Sequence, residues 1–107
     1  MLIITIPSKR IEAASYDFNR KMNWEDAKKA CLELGEDWRL PNKAEIEQLY
    51  KNYFLNGEGN FKLGNYWLQE SEDAAWSADF AGKLEYSSYD LYMRTHAFFN
   101  VRAVREI

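Results

Sequence analysis

Two helix-start signals lie in the first half of the chain, and beyond Gly64 the apolar residues alternate instead. That division points to folds in which helices and strands are segregated, the α+β class. Asn23 supplies the first N-cap, and Glu25 and Asp26 set negative charge beside the free N–H groups of the first turn. Trp24, Ala27, Cys31 and Leu34 recur at helical spacing, while Lys28, Lys29 and Glu33 take the opposite face. Gly35 is expected to stop the helix in the left-handed conformation. Trp38-Arg39-Leu40-Pro41 then reads as a tight connection into a second helix. There Asn42 and Glu45 form a capping box, and Ile46, Leu49, Tyr50 and Tyr53 make the apolar stripe.

The flanking segments read less evenly. Leu2 to Ile6 is β-branched and apolar, a strand that Pro7 ends. Ser8 to Met22 stays open between a short helix or turn and a strand. Asn56-Gly57-Glu58-Gly59-Asn60 is a loop. Tyr66-Trp67-Leu68 predicts a short strand. Trp76, Ala78 and Phe80 alternate with Ser77 and Asp79 as in a half-buried strand that closes at Gly82. Leu84 to Arg94 predicts one strand with a break near Ser87 and Ser88. Phe98 to Val104 predicts the last, with Val101 and Ala103 inward. The expected architecture is one domain over residues 1–107, two helices packed against a mostly antiparallel twisted sheet.

Composition narrows the classes of function. Four Trp, seven Tyr and six Phe make 16% of the 107 residues, so bulky rings must build much of the core. Fourteen Lys and Arg against 17 Asp and Glu leave a net charge of -3. Without any basic run, no nucleic-acid partner is expected. No segment approaches membrane-spanning length, so no membrane partner is expected either. Cys31 is the single cysteine, which excludes an intrachain disulfide. The apolar run before Pro7 is too short for a signal sequence, and a cytoplasmic location is expected.

The candidate chemical groups are few. Cys31 lies on an apolar helix stripe, where thiols are normally inert. His96, the single histidine, cannot build a zinc site with one buried thiol. Glu70, Glu72 and Asp73 form an acidic cluster of the kind that holds calcium, but water-facing charge is the simpler reading. No catalytic residue, metal or cofactor is therefore expected. Arg39 needs a carboxylate or carbonyl partner if it is buried. Arg102 and Arg105 have the same reading, with a groove-facing role open to one of them. Tyr86, Tyr89, Asp90, Tyr92, Arg94, His96 and Asn100 combine tyrosine with short polar groups, the composition of a recognition surface. The competing reading places half of those rings in the core.

From Trp24 onward the order of motifs resembles a known family. Trp24-Glu25-Asp26-Ala27 with Cys31 and Leu34 comes first. Trp38-Arg39-Leu40-Pro41 with Glu45 and Leu49 follows, then Tyr66-Trp67, Ala75-Trp76, Phe80 and Gly82. Val101-Arg102-Ala103-Val104-Arg105 closes the series. This resembles the bacterial family named for the C-terminal domain of the Legionella collagen-like protein, over about four-fifths of the chain. The resemblance implies a C-type lectin-like fold, distantly related to the formylglycine-generating, sulfatase-modifying enzymes. It gives Trp24, Trp38, Arg39, Leu40, Pro41, Glu45, Trp67, Trp76, Arg102 and Arg105 as framework residues. Relatives often carry a cysteine where this chain has Ala103, and two serines where it has Leu68 and Gln69. The first twenty residues do not resemble the family's entry segment. The late cysteine pair of the enzymes and the calcium signatures of sugar-binding lectins are missing from the sequence. The expected function is a non-enzymatic binding module with a late-chain face for a protein or glycan. The alternatives are a regulatory subunit working beside a partner protein and, more remotely, a divergent enzyme of the formylglycine-generating type.

Overall fold

The computed structural model describes residues 2–107. Leu2–Ile6 (β1) and Lys9–Ala13 (β2) form an antiparallel hairpin with Ile6 opposite Lys9 and the turn at Pro7 and Ser8. The first part of the open Ser8 to Met22 segment is thus a strand. Beyond it the chain runs without regular structure to Trp24–Leu34 (α1).

The Asn23 side chain caps α1 by accepting from the Asp26 N–H at 2.9 Å. Trp24, Ala27 and Cys31 are buried as expected, but Leu34 is 50% exposed, because the helix leaves the core at its last turn. Gly35 also departs from expectation. Its φ of 152° and ψ of 156° lie outside the left-handed helical region, in an extended positive-φ region that only glycine adopts readily. Lys43–Asn52 (α2) carries the complete capping box of Asn42 and Glu45 and buries Ile46, Leu49 and Tyr50.

Gly64–Ser71 (β3), Ala74–Phe80 (β4) and Glu85–Tyr89 (β5) form an antiparallel sheet in that order. A second sheet orders β1, β2 and Val104–Glu106 (β6), also antiparallel. The class is therefore α+β, with three helices and two small antiparallel sheets. None of the helices among the described residues is long and apolar enough to cross a membrane.

The β3–β5 sheet is covered on both faces. Tyr66, Leu68, Ala78 and Phe80 pack with Ile4, Ile11, Ile46, Leu49 and Tyr50 on one side. Trp67 and Ala75 pack with Trp24, Cys31, Leu40, Val101 and Ala103 on the other. The half-buried reading of β4 is corrected accordingly. Ser77 is fully buried, and its hydroxyl donates to Asn65 Oδ1 at 2.9 Å.

The late chain brings two further corrections. Leu84 to Arg94 is not one strand: β5 ends at Tyr89, and Leu91–His96 (α3) follows. Asp90 turns the chain by accepting from the Met93 N–H at 2.8 Å, the hydrogen bond of an N-cap. Nor is Phe98 to Val104 a regular strand. It threads the middle of the molecule and bonds in turn to Met22, to β3, to Phe18, to Ala14 and to Arg39. Four consecutive residues, Val101 to Val104, are buried because neighbours surround this segment on every side.

Candidate functional site

The framework residues are tied down one by one. Trp24 Nε1 donates to Leu68 O at 2.8 Å, and Trp67 Nε1 donates to Met22 O at 2.7 Å. Trp76 is half-buried, and its Nε1 donates to Ser71 O. Leu40 and Pro41 are buried. Arg39 binds Glu45 through two hydrogen bonds of 2.7 and 2.8 Å, the carboxylate partner expected for it. Trp38 is only half-buried, with the Arg105 guanidinium 4.8 Å from its ring centroid. Its removal therefore costs less than the roughly 3–5 kcal/mol of a fully buried Trp.

Arg102 is fully buried, and no groove reaches it. Nε donates to Asp17 Oδ1 at 2.8 Å, Nη1 to Ala14 O and Nη2 to Asn60 O, both at 3.0 Å. Phe61 lies under the guanidinium, 3.9 Å from ring centroid to Cζ. Tyr66 shares the same carboxylate, donating to Asp17 Oδ2 at 2.6 Å. Arg105 is half-exposed and pairs with Glu12 at 2.8 Å.

The seven residues expected to form a ligand face do not share one surface. Tyr86 lies opposite Ala78 and packs against the first cluster. Tyr89 lies opposite Ala75, packs edge-on against Trp67, and has its hydroxyl 2.9 Å from Ser77 Oγ. The two tyrosines thus occupy opposite faces of the sheet, and both serve the core. Asn100 is buried beside β3, and its Nδ2 has no hydrogen-bond partner. Asp90 is occupied as the α3 cap.

Tyr92, Arg94 and His96 do come together on α3, with contrasting roles. Arg94 points inward. Its Nη1 donates to Glu70 Oε2 at 2.8 Å, and its Nε sits 2.8 Å from Glu25 Oε2 as an ion-pair contact. The guanidinium also lies 4.6 Å from the Trp24 ring centroid, so one side chain clamps α3 to α1 and β3. Tyr92 and His96 face outward and stack with ring centroids 4.3 Å apart. His96 Nδ1 lies 2.8 Å from Tyr92 O, so that nitrogen carries the proton and donates.

Three exposed apolar neighbours of Tyr92 were not singled out by the sequence reading. Leu91 is 69% exposed, Tyr92 71% and Met93 44% on a helix with no buried residue, and Phe98 just past its end is 55% exposed. The signal was present in Asp90 as an N-cap three residues before Met93, with Arg94 and His96 in the last turn. Tyr86, Tyr89 and Leu91 at strand-like spacing hid it.

Elsewhere the reactive groups are occupied or shielded. Burial pushes the Cys31 thiol up to about 12, so it stays protonated at neutral pH. Glu72 and Asp73, with φ of 54° and 61°, make the turn between β3 and β4, and Glu70 belongs to the Arg94 clamp. Among the described residues no three His, Cys, Asp or Glu side chains gather as a metal site would require. No protein-family model and no curated protein matches the chain.

Proposed function

We propose that this chain is a non-enzymatic binding module of C-type lectin-like fold, and that it presents the outer face of α3 to a partner protein. The observation that carries the reading is the exposed set of Leu91, Tyr92 and Met93 on a helix that Arg94 clamps in place, with exposed Phe98 just past its end. Clustered exposed apolar side chains mark interaction sites, and Tyr, Phe and Met are enriched in them. A face fixed before binding also loses less freedom when the partner arrives.

A protein fits this face better than a glycan. Sugars demand many free hydrogen-bonding groups, yet Thr95 Oγ1 is spent on Leu91 O and His96 Nδ1 on Tyr92 O. What supports the lectin-like expectation is the combination of helices with two small antiparallel sheets. Thiol chemistry of the formylglycine-generating kind gains no support from Cys31, which is buried and held protonated.

The test is affinity capture followed by measurement of stoichiometry, with the parent compared to the double variant Leu91→Asp, Tyr92→Ala. The parent should retain one protein at fixed ratio, and the variant should lose it while its melting temperature stays within a few degrees. Retention of the same partner by the folded variant would reject the α3 face. A glycan-array signal abolished by Tyr92→Ala would transfer the face to a sugar ligand.

A further inference from the structure

The segment that carries α3 is fastened to the body by one side chain. The backbone hydrogen bonds of Asp90 to Ala97 close on the segment itself: Met93 N–H donates to Asp90 Oδ1, Arg94 N–H to Asp90 O and Ala97 N–H to Met93 O. Thr95 Oγ1 and His96 Nδ1 also bond inside it, to Leu91 O and Tyr92 O. No α3 side chain belongs to either apolar cluster among the described residues. Arg94 is the one α3 residue that is not exposed, and its bond to Glu70 is the one α3 hydrogen bond that reaches the rest of the protein.

The two ends of the segment are held better than its middle. Before it, Tyr89 packs edge-on against Trp67, and its hydroxyl lies 2.9 Å from Ser77 Oγ. After it, the N–H and C=O of Phe99 both bond to Met22 at 3.0 Å. Between these anchors stands a six-residue helix, too short to persist in water by its own hydrogen bonds. Arg94 must therefore hold it. The fastening is electrostatic and partly open to solvent. The Glu25 and Glu70 side chains are 45% and 46% exposed, so dissolved salt screens both pairs. Arg94 Nε is buried and makes no hydrogen bond, so its 2.8 Å contact with Glu25 Oε2 is an ion pair alone.

We infer that residues 90–97 form a latch, which opens and melts as one unit while the sheets and the longer helices stay folded. Arg94 sets the balance between fastened and open. Opening uncovers the side of the Trp24 ring that the guanidinium occupies. The consequence for binding rests on α3 being the docking face. That face exists only when the latch is fastened, so ionic strength regulates how much of the protein can receive the partner.

Amide hydrogen exchange, followed by NMR on the free protein at neutral pH, tests the latch. The Met93, Arg94 and Ala97 amides should share one opening constant, at least about tenfold larger than that of the Trp67 and Val104 amides. Low concentrations of urea should leave it unchanged while they raise the Trp67 and Val104 constants, because the latch exposes little surface. Arg94→Gln should raise the latch constant about tenfold. Raising sodium chloride from about 0.02 M to about 0.5 M should raise it a few-fold in the parent and leave it unchanged in Arg94→Gln. A latch constant equal to that of Trp67, with the same urea dependence, would overturn the separate unit. A constant that neither Arg94→Gln nor salt moves would overturn the role of Arg94. Exchange is read without a partner, so its outcome is distinct from the capture experiment, where a folded variant that keeps its partner rejects the docking face.

Discussion

Arg102 shows how much one side chain can hold. Its three donor nitrogens reach a carboxylate on the approach to α1 and two backbone carbonyls that are far apart in sequence. The Asp17 side chain is 3% exposed, so neither charge can turn to water when its partner is lost. Removing one member of such a buried pair costs about 3–5 kcal/mol. Arg102→Ala should therefore lower the unfolding free energy by that amount in urea, and a loss below about 1 kcal/mol would contradict the placement. Arg102→Lys should rescue little, because an ammonium on a flexible stem lacks the planar fork that meets three acceptors at fixed directions. The sequence made Arg39 legible, since Glu45 stands six residues away and already belongs to a capping box. It left Arg102 open, because Asp17 lies 85 residues away in a stretch without clear periodicity.

At the scale of the elements, the helices with side-chain caps and long stripes were readable, and the strands near them less so. α1 and α2 announce themselves by Asn23 and Asn42 and by apolar spacing that spans three turns. α3 is only six residues long, too short for periodicity to outweigh the strand-like spacing of its tyrosines. β4 misled for a different reason: alternation marks a half-buried strand only when one face meets water, and here α1 and the closing segment cover the second face. β1 presents another element-scale problem, a free apolar edge that invites pairing with a second chain. Tyr53 blunts it. Its hydroxyl accepts from the Ile3 N–H at 3.0 Å and donates to the Ile3 carbonyl at 2.8 Å, occupying both edge-facing groups of that residue. Tyr53→Phe should cost about 1 kcal/mol in a thermal melt and promote dimers through β1, visible by sedimentation. A variant that stays monomeric at every concentration would remove the guarding role from Tyr53.

Across the whole molecule, the β3–β5 sheet separates two apolar clusters, and each holds a weak acid that burial keeps neutral. Burial raises the Cys31 thiol to about 12 in the second cluster. In the first, burial and then the hydrogen bond to Asp17 raise the Tyr66 phenol. Both folded values exceed the unfolded ones, so folding is favoured fully below the unfolded values and loses that advantage as pH climbs through the folded ones. The melting temperature should accordingly fall between about pH 9 and pH 12, and Cys31→Ala should make the fall shallower. An identical alkaline profile in the variant would show that the thiol carries no such linkage. The threaded course of residues 98–104 has a consequence for synthesis. A nascent chain leaves the ribosome with Asp17, both helices and the β3–β5 hairpins long before residue 102 appears. Until that residue emerges, the carboxylate has no cation, and the second cluster lacks the valine and alanine that close it. Folding must therefore wait for residues 98–104 to emerge, and a ribosome stalled before them would hold an unfinished body that chaperones can recognise.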